Sequence, residues 1–225
     1  SIRGLNTLKS CTKVYAEFYT NPVEINKQKL EKLIGNTIIF LNRTELETKS
    51  NEILENAKKE KVALLVPGDC FTATTHISLK LQAQKENINV KVIHNSSIIT
   101  AVCETGLQIY KFGRIVTLVF SDDESLIETP YNVIKENFSR GLHTLLLLDY
   151  KFEEKKSMTI NEGIHYLLKI ENKRKEGVIK KEMVGVGIAR IGSDNFIIKS
   201  DKINTLMNIN FGSTPHCIII PGNLH

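Results

Sequence analysis

Cysteine is scarce in this sequence, and the four present, Cys11, Cys70, Cys103 and Cys217, are widely separated and form no CxxC. That spacing argues against a disulfide framework and a structural zinc site, and it predicts reduced thiols, as in a cytoplasmic protein. With no signal-peptide pattern at the start, the sequons at Asn42, Asn95 and Asn137 are expected to be unused. No apolar run approaches the roughly 20 residues needed to span a bilayer, so no membrane role is expected. Dense basic tracts are missing as well. The net charge is +5 and the pI is about 8.9. Yet Lys58, Lys59 and Lys61, like Lys173, Arg174 and Lys175, end helical patterns, where cations favour the negative dipole end. We read both clusters as solvated faces, with no direct nucleic-acid contact. The six histidines show neither H-x3-5-H nor HExxH spacing, so no metal is expected. There is no G-x-S-x-G elbow and no phosphate loop. Gly185-x-Gly187 resembles the start of a dinucleotide fingerprint, but Arg190 stands where the third glycine would permit close helix packing.

What is present is an ordinary globular composition, 41% hydrophobic and 24% charged, over 225 residues. Apolar, β-branched-rich segments recur at 13–19, 37–41, 62–66, 90–93, 115–120, 144–148, 184–189 and 217–220. Helical patterns with start and stop signals lie between most of them. Thr44 with Glu47, and Thr159 with Glu162, read as capping boxes. Pro130 sits where a first helical residue should be, and Gly141 where that helix should stop. The alternation predicts an α/β fold of two α/β domains with mostly parallel sheets, because all-apolar strands are buried on both faces. A change of texture at 106–113 places the junction, giving an N-terminal domain over 1–110 and a C-terminal domain over 111–225. The chain opens directly in a helix-like segment and stops just after a strand, so native residues are expected beyond both ends.

Open α/β sheets bind ligands beyond the carboxyl ends of their strands. One such end is Val66-Pro67-Gly68-Asp69, followed by Cys70 to His76. Gly68 lets backbone approach a ligand, and Asp69 can accept hydrogen bonds from ribose hydroxyls or an amine. The competing reading, that Asp69 or Thr72 caps the next helix, is equally compatible with the spacing. A second end is His94-Asn95-Ser96-Ser97-Ile98, whose small hydroxyl residues either meet a ligand or cap a helix. A third is Leu148-Asp149, a carboxylate after a fully apolar run. Taken alone, these features name no reaction.

Longer stretches add a resemblance. Ala16-Glu17-Phe18-Tyr19-Thr20, Pro67-Gly68-Asp69 with Ala73-Thr74-Thr75-His76, Val92-Ile93-His94-Asn95 and the run from Thr105 to Gly113 resemble the diphthine synthases. So do the run from Gly141 to Asp149, Ala189-Arg190-Ile191-Gly192-Ser193, and the run from Pro215 to Gly222. That family lies within the tetrapyrrole-methylase-like class of methyltransferases. The resemblance covers essentially the whole chain in order. It implies a homodimer of two-domain subunits that binds S-adenosyl-L-methionine in the inter-domain cleft and releases S-adenosyl-L-homocysteine. It implies cosubstrate contacts from Asp69, Thr72, Ser97, Ile98, Leu148, Ile191 and His216. The implied substrate is the 3-amino-3-carboxypropyl-histidine of elongation factor 2, in diphthamide biosynthesis. The family also opens with a strand and a Gly-Leu-Gly loop that the given sequence lacks, and usually has proline where Cys70 stands. No catalytic residue is assigned from sequence, since methyl transfer from a sulfonium needs mainly positioning. Two alternatives make different predictions. A tetrapyrrole methyltransferase of the same fold would bind a macrocycle. A non-catalytic basic RNA-binding protein would bind RNA tightly and S-adenosylmethionine not at all, and the sequence has no aromatic-basic motif to favour it.

Overall fold

The computed structural model describes residues 1–20, 26–121 and 126–224. The chain divides into two compact units, Ser1–Ile98 and Ile99–His225.

In the first unit, α1 (Ile2–Lys9) starts at Ser1, whose Oγ accepts from the Gly4 N–H at 3.1 Å. Strand β1 (Lys13–Glu17) follows, then α2 (Lys27–Ile34), β2 (Ile38–Leu41), α3 (Arg43–Thr48), α4 (Ser50–Lys59), β3 (Val62–Leu65) and α5 (Ile77–Lys85). The sheet order is β2-β1-β3, and both pairings are parallel. Side chains alternate along central β1. Val14 and Ala16 pack with Ile34, Ile38 and the apolar side of α1, whereas Tyr15 packs with Leu41, Leu46 and Ile53 from β2, α3 and α4. The sheet is therefore covered on both faces, which is why β1 tolerates an unbroken apolar run. Each fully buried aliphatic side chain there contributes roughly 1.5–3 kcal/mol.

Two sequence expectations change here. The first capping box is formed by Asn42 with Glu45, not by Thr44 with Glu47, and the helix it opens breaks at Lys49 into α3 and α4. Asparagine is as good a cap as threonine, and its offset places Leu46 in the core. The apolar segment 90–93 forms no ladder with any described strand, so it is not a strand despite its composition.

A short helix, α6 (Ile98–Ala101), straddles the division. The second unit holds β4 (Val116–Leu118), α7 (Thr129–Ser139), β5 (Thr144–Leu148), β6 (Tyr150–Lys151), β7 (Lys156–Ser157), α8 (Ile160–Arg174), β8 (Val184–Ala189), β9 (Ile197–Lys202), α9 (Ile203–Leu206) and β10 (His216–Ile220). Its five-stranded sheet runs β4-β5-β10-β8-β9. Here the expectation of mostly parallel sheets is corrected. β4 and β5 are parallel, but the pairs β5·β10, β10·β8 and β8·β9 are antiparallel. All-apolar strands report burial on both faces, not direction, and a short turn such as the one joining β8 to β9 permits only antiparallel pairing. Helix α8 begins at the expected capping box of Thr159 and Glu162 and buries Ile160, Ile164, Leu167 and Ile170. Gly163 brings it close to the sheet: a Cβ there would meet Ile218 at 3.0 Å and Leu148 at 3.1 Å.

The Gly185-x-Gly187 pair serves packing. A Cβ at Gly185 would meet Ile203 at 2.7 Å, and one at Gly187 would meet the Phe211 ring at 2.5 Å. Both glycines sit inside β8, so neither forms a phosphate turn. Arg190, which follows that strand, lies in the left-handed region at φ 52°.

Candidate cosubstrate site

In the first unit, β3 leads into Val66 and Pro67, and Gly68 turns the chain at φ +80°. That conformation costs glycine little and other residues more. The turn presents Asp69, whose side chain is 11% exposed. Its Oδ1 accepts from the Phe71 N–H at 3.0 Å. Its Oδ2 accepts from His94 Nδ1 at 2.9 Å and from the Asn95 N–H at 3.2 Å. Asp69 therefore does not cap α5, which begins at His76 with no side-chain cap hydrogen bond. The Phe71 N–H, opposed by burial and aided by His94 and Asn95, holds its carboxyl below the usual carboxylate range. A carboxylate offers about four lone-pair positions, and three donors leave one for a ligand. This free acceptor position on an ionised, partly exposed carboxylate fits a ribose hydroxyl or an amine.

The same bonds draw the two loops together. A Cβ on Gly68 would lie 3.5 Å from the Ser96 carbonyl oxygen. Thr72 donates its N–H to the Asp69 carbonyl at 3.2 Å. Ser97 and Ile98, both partly buried, close the second loop and open α6. Asp69, Thr72, Ser97 and Ile98 thus occupy two adjoining loops at one edge of the first unit. Cys70 has its thiol pushed up by burial and then by the Asp69 charge, so it stays protonated.

In the second unit, Leu148 ends β5, Ile191 follows β8 and His216 opens β10. The register pairs His216 with Ala189 and Cys217 with Leu147, so the three gather at one end of that sheet. His216 is buried and uses both ring nitrogens. Nε2–H donates to the Ser213 carbonyl at 3.1 Å, and Nδ1 accepts from the Ile160 N–H at 3.3 Å. Burial pushes its pKa below the usual histidine value, so the ring is neutral. Arg190 organises the adjoining turn, donating from Nη1 to the Phe211 carbonyl at 2.8 Å and to Ser213, and from Nη2 to the Asn195 carbonyl at 2.9 Å.

Sequence reasoning passed over one group of polar residues. Glu17, the last residue of β1, is fully buried and accepts from Thr20 and from His76 Nε2, the latter at 2.7 Å. A carboxylate closing an otherwise apolar strand was the available signal. Among the described residues, no helix is long and apolar enough to cross a membrane. All four cysteines are free thiols.

Residues 1–195 match the family of Tetrapyrrole (Corrin/Porphyrin) Methylases. A diphthine synthase of Methanocaldococcus jannaschii is 44% identical over the whole of this chain and 89% of its own length. Another from Methanothermobacter thermautotrophicus is 43% identical over the whole chain and 86% of its length. A crystal structure of diphthine synthase superposes with a TM-score of 0.89 at 36% identity, covering all of this chain and 85% of the other. The chain therefore belongs to the tetrapyrrole methylase family and, within it, to the S-adenosylmethionine-dependent methyltransferases of the diphthine synthase type.

Proposed function

We propose that this chain transfers methyl groups from S-adenosyl-L-methionine to the amine of the 3-amino-3-carboxypropyl group on a modified histidine of elongation factor 2. The observation that carries this reading is the Asp69 carboxylate, held at the end of β3 with a free acceptor position, in a chain 44% identical to a diphthine synthase throughout.

S-adenosylmethionine supplies a methyl on a sulfonium whose departure leaves a neutral thioether. Asp69 would hold the nucleoside by its hydroxyls, with Thr72 and Ser97 offering further polar groups. Ile98, Leu148 and Ile191 would supply apolar surface, and His216 would orient the loops around it. Holding the amine in line with the methyl is the main task of the protein, and such positioning is worth roughly 7–11 kcal/mol at best. We further infer a homodimer working in the cytoplasm, consistent with four free thiols. Its net positive charge of +5 suits an acidic face on the protein substrate.

The test is transfer of a labelled methyl group to elongation factor 2 that carries the unmethylated histidine modification. Incorporation into that residue is expected. Incorporation into a tetrapyrrole instead, with the protein substrate untouched, would overturn the reading.

A further inference from the structure

We propose that Glu17 and His76 are the proton-accepting pair of this methyl transfer, His76 taking the amine proton and Glu17 holding the imidazole. The inference rests on the function proposed above.

Three donors converge on the Glu17 carboxylate. Oε2 accepts from the Thr20 N–H at 3.2 Å, and Oε1 accepts from Thr20 Oγ1 at 2.8 Å and from His76 Nε2 at 2.7 Å. An ionised carboxylate only accepts, and in that form Glu17 receives hydrogen bonds from all three groups. Its side chain is 0% exposed, so those donors replace water around a buried charge. The hydrogen of His76 is therefore on Nε2, and Nδ1 keeps a basic lone pair. Nδ1 has no hydrogen-bond partner among the described residues. None of their fully covered side-chain nitrogens or oxygens lacks a partner, so this atom is not sealed off, within a His76 side chain that is itself only 5% exposed. His216 provides the contrast, since it spends both nitrogens on backbone groups and is structural. A carboxylate that fixes one imidazole nitrogen and leaves the other open is the arrangement that orients a general base.

The location agrees. His76 closes the loop that Asp69 opens, and Glu17 ends β1 at the same carboxyl edge, since Ala16 registers with Leu65 of parallel β3. The other groups facing the ring are Tyr19, edge-on at 6.3 Å between centroids, and Arg43 of α3 beyond it, 5.5 Å from the Tyr19 ring. Burial, and then the Glu17 charge, push the Tyr19 hydroxyl up to about 12, so it stays neutral. Glu47 of α3 adds a further negative charge near that tyrosine.

The chemistry balances. The substrate amine arrives as an ammonium and gives one proton to Nδ1, producing an imidazolium that Glu17 stabilises. The neutral amine then forms a C–N bond to the methyl as the C–S bond breaks, and that electron pair stays on sulfur. His76 returns its proton to water before the next transfer.

The test uses the full chain, labelled cosubstrate and elongation factor 2 with the unmethylated modification. For His76→Gln and Glu17→Gln, calorimetry should show cosubstrate affinity within about threefold of wild type. The single-turnover rate near neutral pH should fall about 100-fold or more for His76→Gln, and the deficit should narrow as rising pH supplies free amine. Added imidazole should restore part of the rate to His76→Ala. If His76→Ala does not fold, the pH profile of Glu17→Gln decides. A rate kept within a few-fold of wild type, a rate lost in step with affinity, or a deficit flat with pH and not rescued would each overturn the pair. A wild-type protein inert towards that substrate overturns the parent function and the pair with it, a result distinct from a loss confined to the variants.

Discussion

His94 Nδ1 lies 2.9 Å from Asp69 Oδ2, so a single carboxylate ties the loop after β3 to the loop that leads into α6. The two are 25 residues apart in sequence, and the bond sets the distance between the two stretches expected to meet the cosubstrate.

Replacing Asp69 by alanine should therefore do more than remove one ligand contact. Hydrogen bonds to a charged group contribute about 1.5–3 kcal/mol, so cosubstrate affinity should fall roughly 10-fold to 150-fold. Calorimetry measures this directly, and unchanged affinity would remove Asp69 from the site. Because its carboxyl is held below the usual range, the tie contributes fully above the unfolded-chain value and is lost only as pH falls through the lower folded value. Hydrogen exchange at the Asn95 amide should stay slow in mild acid.

His216 predicts a loss in the same direction at higher pH. The folded protein keeps this ring neutral, whereas the unfolded chain takes up the proton below about pH 6.5. Its contribution is full above that value and declines as pH drops towards the depressed folded pKa. Thermal unfolding followed from about pH 7.5 to about pH 5 should show wild type losing stability faster than His216→Gln. Parallel curves would contradict this.

Gly187→Ala should destabilise the second unit. The added methyl would lie 2.5 Å from the Phe211 ring, which is 1% exposed and has nowhere to move. Overpacking of this kind costs about 1–3 kcal/mol. Chemical denaturation should show a lower midpoint with an unchanged slope.

Glu171→Ala tests a different kind of support. Glu171 accepts from the Gly177 N–H at 2.6 Å, the Ile179 N–H at 2.8 Å and the hydroxyl of buried Tyr131 at 2.7 Å. Stranding the tyrosine hydroxyl should cost about 1–3 kcal/mol. The double variant Tyr131→Phe, Glu171→Ala should cost less than the two single losses added together. Strict additivity would show that the bond is not coupled.

How much of this was legible in sequence depends on burial. β5 and β8, apolar along their whole length, were placed with the bounds the structure gives them. β9 was missed because Lys199, Ser200, Asp201 and Lys202 face solvent on an edge strand, and so it shows no apolar period. Segment 90–93 has strand composition, but a strand exists only with a partner, and composition does not supply one. At the site, Asp69 stands out from its strand-end position, while spacing alone leaves capping and binding equally open; its bonds to Phe71, His94 and Asn95 remove only the cap on α5. Glu17 and His76 were passed over because a pairing across 59 residues leaves no local pattern.

The exposed β9 also governs how the protein can associate with itself. A second chain adding along that margin would have to strip water from Lys199 and Lys202 and break the ion pair of Lys202 with Glu182. Runaway fibre growth from this flank is therefore penalised, and any closed assembly of subunits should form through other faces of the molecule.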